Sequence, residues 1–166
     1  MSLIGSLFFV GTFTGSFILP RAADIFGRKP LFLIGLSLYI FVVVCLYFVK
    51  SLAWLYILLF LGGISETGRY YVAYVYAIEM MPQKVQDATG IYIFLVFGFA
   101  MTYIALQFWF ITKDVFVNNW IALVLALISL VCVSVYMPES PRFLYSRKRF
   151  QESREVLKKI IKTNSA

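Results

Sequence analysis

Apolar residues run along this chain in five long stretches with short polar breaks between them. The stretches are 3–22, 30–49, 52–81, 88–111 and 120–137. A helix needs ~20 mostly apolar residues, with ~17 at the lower end, to cross ~30 Å of hydrocarbon. Each stretch reaches that range. Phe, Leu, Ile, Val and Tyr dominate them, and none alternates strictly as a barrel strand would. The pattern predicts an all-α, polytopic membrane protein with five transmembrane helices. After residue 137 the pattern changes. Ser140 followed by Pro141 reads as the N-cap and first position of a short helix. Within 150–162 the apolar residues Phe150, Val156, Leu157, Ile160 and Ile161 group on one side. That predicts a C-terminal amphipathic helix lying at the membrane surface. The chain therefore divides into a bundle, 1–137, and a tail, 138–166.

Composition narrows the function. Hydrophobic residues make up 61% of the chain and charged residues 14%, against about half and a quarter in soluble domains. There is no His, which removes His-based triads, His acid–base chemistry and His metal sites. Cys45 and Cys132 lie inside apolar runs and read as small hydrophobes, with no disulfide or metal framework. Glu66 is the one mid-span acid, so the paired carboxylates of an intramembrane hydrolase are absent. No enzyme activity, cofactor or metal is expected. The first run lacks a basic leader and a small-residue cleavage site, and reads as a retained span.

The net charge is +7, and its placement sets sidedness. Arg21, Arg28, Lys29 and Lys84 fall in connections on one side, together with the tail residues Arg142, Arg147, Lys148, Arg149, Arg154, Lys158, Lys159 and Lys162. The other side carries only Lys50 and Lys113. Basic loops stay on the cytoplasmic side. The C-terminus is therefore expected inside, or on the equivalent inner side, and the N-terminus outside. Anionic head groups are natural partners for this charge, and no nucleic acid is needed to explain it.

Three groups of residues could carry chemistry. Residues 21–30 read as a tight turn between two helices, with Gly27 supplying backbone freedom and Asp24 able to pair with arginines. Gly11 and Gly15, four apart, would let another helix approach closely. Glu66 and Arg69 sit near the middle of the longest run, where a charge costs ~2.5–3.5 kcal/mol on insertion scales. They share a helix face at i, i+3. With Tyr70 and Tyr74 they read as a substrate or ion site; alone they read as an internal ion pair. Trp54, Trp109 and Trp120 fall where interfacial belts would lie.

Ala23-Asp24-Ile25-Phe26-Gly27-Arg28-Lys29 resembles the signature loop of the major facilitator superfamily, between its second and third helices. Pro138-Glu139-Ser140-Pro141-Arg142-Phe143-Leu144 resembles the signature after the sixth helix in the sugar-porter and organic cation/anion branches. Val75 to Pro82, containing Glu79, is similar to the inner end of the fourth helix. The resemblance implies a partial N-terminal half of a transporter bundle, covering its second to sixth helices. It implies that Asp24, Arg28, Glu79, Glu139 and Arg142 belong to an inner-side gating network. Ile25, Gln86 and the Leu59–Phe60 pair stand where that network usually has basic partners. It also implies transport of an organic ion or sugar by alternating access, once missing helices complete the bundle. The chain is then expected to be a fragment, a half that pairs with another membrane chain, or a transporter-like subunit of a larger complex.

Overall fold

The computed structural model describes residues 2–110 and 115–164. Its helices are α1 (Ser2–Phe26), α2 (Arg28–Phe48), α3 (Leu52–Met80), a 3-10 turn (Gln83–Val85), α4 (Gln86–Phe110), α5 (Val115–Tyr136), α6 (Pro141–Ser146) and α7 (Phe150–Asn164). No strand occurs among the described residues. The stretches Leu3–Phe26, Arg28–Phe48, Gln83–Phe110 and Val117–Tyr136 are long and apolar enough to cross a membrane. α3 has 29 residues, about 43 Å at 1.5 Å per residue. It has the length of a span, but Glu66, Arg69 and Glu79 dilute its apolar character.

The element ends differ from the expected runs. Residues 21–26 are helical rather than looped, because nothing from Arg21 to Phe26 breaks a helix. The break is Gly27 alone, at φ 110°. Pro20 lies inside α1, as membrane helices tolerate. α4 starts two residues before its apolar run, and α5 starts five before its own. Ile111, the expected end of the fourth run, and Lys113 lie outside the described residues, as do Met1 and the last two residues of the tail.

α3 is the hub. Gly11 and Gly63 bring α1 and α3 into backbone contact. A Cβ on Gly11 would lie 2.2 Å from the Phe60 carbonyl oxygen, and one on Gly63 would lie 2.1 Å from that of Phe8. Next along the seam, Thr67 faces Gly15 and its Oγ1 donates to the Thr12 carbonyl at 3.1 Å. On another face of α3, a Cβ on Gly35 of α2 would lie 2.9 Å from the Gly68 carbonyl carbon. Lipid gives no hydrophobic drive between helices, so close van der Waals packing has to supply the association. α5 packs on α2 through a core of Leu31, Leu36 and Ala126, into which Val72 of α3 reaches. Among the described residues, α4 packs on α3 and on the 3-10 turn that precedes it. Apart from Gly90 and Gln107, its side chains are partly or fully exposed.

Gly63→Ala in the detergent-purified chain is expected to lower stability by about 1–3 kcal/mol, the usual cost of overpacking. Gly5→Ala and Gly98→Ala add methyls that meet nothing within 4 Å and should leave stability unchanged or slightly raised. Thermal unfolding of the three variants checks this.

Candidate functional site: a charge cluster at one end of the bundle and a divided face on α3

Gly27 ends α1 and leaves α2 with no side-chain cap of its own. Glu139, more than a hundred residues later, supplies one. Its Oε1 accepts from the backbone N–H groups of Arg28 at 3.0 Å, Lys29 at 3.1 Å and Ser140 at 3.0 Å. A carboxylate suits the positive end of a helix dipole. A Cβ on Gly27 would lie 2.7 Å from Glu139 Oε2. Glycine is required there both by its left-handed φ and by the approach of that carboxylate.

Arg28 lies beside this cap. Its Nε and Nη2 bind the two oxygens of Glu79, each at 3.1 Å. Nη2 also meets Asp24 Oδ1 at 2.7 Å, and Nη1 donates to the Ala23 carbonyl at 2.9 Å. Arg28 and Glu79 are only 13% and 9% exposed, whereas Asp24 is 68% exposed. Bidentate geometry of this kind makes the stronger class of charge-assisted hydrogen bond. Ser140 Oγ donates to Glu79 Oε2 at 2.5 Å and accepts from the Phe143 N–H at 3.3 Å, so it caps α6 and touches the ion pair at once. The Tyr76 hydroxyl donates to the Pro138 carbonyl.

Two further cations close the cluster. Arg147 Nη2 donates to the carbonyls of Asp24 at 3.2 Å and Ile25 at 2.6 Å, at the open end of α1. Lys29 Nζ donates to the Ser134 carbonyl at 3.0 Å, near the end of α5. Both positions favour positive charge. The Phe143 ring is close to two guanidiniums, 5.4 Å from that of Arg28 and 5.7 Å from that of Arg147. Of the expected network residues, Asp24, Arg28, Glu79 and Glu139 come together. Arg142 does not: it is exposed and has no ion pair among the described residues. Sequence reasoning missed Arg147, Lys29 and Tyr76 as members. The spacing of a helix end from a distant arginine carries no local signal.

The second group divides. Arg69 pairs with Glu66 and its guanidinium lies 4.1 Å from the Tyr39 ring of α2. Glu66 and Tyr39 line a cavity of about 160 Å³ together with Phe8, Leu58 and Asn119. Tyr70 and Tyr74 face α4 instead, with Phe97 at 5.2 Å and Phe94 at 5.8 Å between ring centroids. The four residues thus serve two adjoining surfaces of α3 rather than one pocket. Gly11 and Gly15 lie on the α1–α3 seam described above. No group of His, Cys, Asp or Glu among the described residues could hold a metal.

The sequence profile of the family described as Sugar (and other) transporter matches residues 1–166. The chain belongs to that family. It is 31% identical to "Organic cation/carnitine transporter 2" of Homo sapiens, over 96% of this chain and 28% of that protein. It is 31% identical to "Solute carrier family 22 member 4" of Mus musculus, over 98% of this chain and 29% of that protein. "Organic cation transporter 1" of Caenorhabditis elegans is 27% identical, over 95% of this chain and 26% of that protein. This member of the family spans less than a third of the length of those curated relatives. The expected resemblance to the major facilitator superfamily, in its organic cation and sugar-porter branches, is thereby shown for a partial region.

Removing one partner of a buried ion pair costs ~3–5 kcal/mol, because it strands the other charge. Glu79→Ala is therefore expected to destabilise the chain by about that much. Arg28→Met with Glu79→Met together should cost markedly less than the two single losses summed. A double-mutant cycle on thermal unfolding in detergent measures the coupling.

Proposed function

We propose that this chain forms part of the first half of a solute transporter that works by alternating access once joined to further helices. The transmembrane unit is 1–137 and the tail 138–166. The N-terminus lies outside and the C-terminus inside, as the distribution of Lys and Arg supports. The observation that carries the reading is the closed cluster of Arg28, Glu79 and Glu139. It joins the ends of α1, α2 and α3 to the chain after α5. An ion pair between separate helices can open and re-form as one helix group rocks against another. In that role Asp24, Arg28, Glu79 and Glu139 hold the inner side shut, and Arg147 stands in the place assigned by sequence to Arg142.

The solute class is an organic ion. Tyr70 and Tyr74, with Phe94 and Phe97, offer π faces suited to a quaternary ammonium. Glu66 and Arg69 lie on the adjoining surface and present one charge of each sign. Two of the relatives are named as organic cation transporters, and one of these also for carnitine, which carries both an ammonium and a carboxylate.

Two measurements test this. In a complete assembly reconstituted in liposomes, Tyr70→Ala is expected to raise the KM for tetraethylammonium about 2–30-fold, the range of one cation–π contact. Arg69→Ala should weaken carnitine uptake more than tetraethylammonium uptake. If Tyr70→Ala, Tyr74→Ala, Glu66→Gln and Arg69→Ala all leave KM and flux unchanged, the site assignment fails. Residues 1–166 alone should show no saturable uptake of either solute; robust flux would overturn the need for further helices.

A further inference from the structure

We infer that α7 carries a docking face for an anionic lipid surface, distinct from the face by which it packs on the protein. The apolar side of α7 is wider than its protein contacts need. Ser153 is buried and its Oγ donates to the Pro141 carbonyl at 3.1 Å. Val156 and Ile160 lie to one side of it and are half-buried. At 100° per residue these three define one strip, turned toward α6. Phe150 and Leu157 define a neighbouring strip, with Ile161 in line a turn further on. Phe150 is 48% and Leu157 46% exposed. Arg154 and Lys158 border this second strip on its far side, and both are exposed. Glu152 and Glu155 fall on the opposite side of the helix. Tyr145 of α6 extends the patch, its ring 5.1 Å from that of Phe150 and largely exposed.

The occupant follows from this chemistry. An apolar strip edged by cations, with an aromatic pair at one end, matches an interface of acyl chains and acidic head groups. Tyr favours that depth. Geometry puts such a surface within reach: α6 begins five residues after α5 ends, and α5 is apolar enough to cross a membrane. Lys148, at φ 61°, turns the chain from α6 into α7. Its N–H donates to the Tyr145 carbonyl, and the Arg149 N–H donates to that of Leu144, both at 3.0 Å. This closed turn fixes the angle at which the second strip is presented. A single basic residue near an anionic surface contributes a modest attraction, and two act together.

The test uses the full chain in vesicles, with Cys45→Ser, Cys132→Ser and a nitroxide on Leu157→Cys. A matching label on Glu155→Cys reports the opposite side. The vesicles are phosphatidylcholine alone, or phosphatidylcholine with about one part in three of phosphatidylserine. In the anionic vesicles the label at 157 should gain oxygen and lose aqueous-quencher accessibility, while the label at 155 stays aqueous. Arg154→Gln with Lys158→Gln should lower the ratio of docked to free label about thirty-fold. α-Helix content by circular dichroism should be unchanged. A label at 157 that is aqueous in both vesicles overturns the inference. So does one shielded equally in both and indifferent to the two Gln substitutions, which would mean that a protein segment covers the strip.

Discussion

A guanidinium held away from water must draw its acceptors from the protein, and Arg28 does so from both neighbouring helices. Its donors reach Glu79 on α3, and Asp24 and the Ala23 carbonyl on α1, from the first turn of α2. A side chain in that position can be satisfied only if the three helix ends meet at one level. The one-residue break at Gly27 allows this, because a longer loop would let α1 and α2 slide past one another. Glu139 then occupies the space that a Cβ on Gly27 would take, which brings the chain after α5 to the same level. The buried ion pair is thus less a source of net stability, given the cost of desolvating both charges, than a constraint on where five elements end.

The rest of the bundle is arranged around α3, which offers a different chemistry to each neighbour. Glycines and Thr67 meet α1, Gly68 meets α2, Arg69 lies over Tyr39, and tyrosines meet α4. The first two contacts are backbone-close and rigid. The last is aromatic and looser, and leaves α4 exposed along most of its length. A helix pinned on two sides and lightly held on a third can let its third side rearrange while its position stays fixed. Such a surface suits the proposed solute, which must bind and then leave.

Much of this was legible in the sequence, and the misses have physical causes. Five apolar runs located five long helices, because length and hydropathy decide membrane insertion. Their ends were less accurate: capping at α2 comes from Glu139, over a hundred residues away, and no local pattern announces it. The four-residue spacing of Gly11 and Gly15 pointed to a close-packed seam, and the partner strip at Gly63 and Thr67 completes it. Glu66 and Arg69 meet one neighbour of α3, and Tyr70 and Tyr74 another. Proximity along one helix fixes angular position but not which neighbour each side chain meets, and Tyr39 and Phe97 come from different helices. Arg142 and Arg147 show the same limit. The motif named the first, but the geometry of α6 gives the carbonyls at the end of α1 to the second.

Ile25 and Gln86, where the resemblance led basic partners to be expected, acquire a different meaning once the cluster is seen whole. The cost of a lost arginine depends on whether it leaves a buried carboxylate without donors. Here neither carboxylate is left so. Glu79 has the two nitrogens of Arg28 and the hydroxyl of Ser140. Glu139 has three backbone N–H groups, which only a substitution by proline would remove. Ile25 is exposed at the end of α1, where its carbonyl accepts from Arg147. Gln86 binds the Met81 carbonyl and closes the turn into α4. The cluster therefore closes with fewer formal charges, and neutral donors supply much of its hydrogen bonding. Neutral donors are less sensitive to screening by salt than exposed ion pairs. A cluster built in this way should be governed more by helix position than by ionic conditions at the membrane surface.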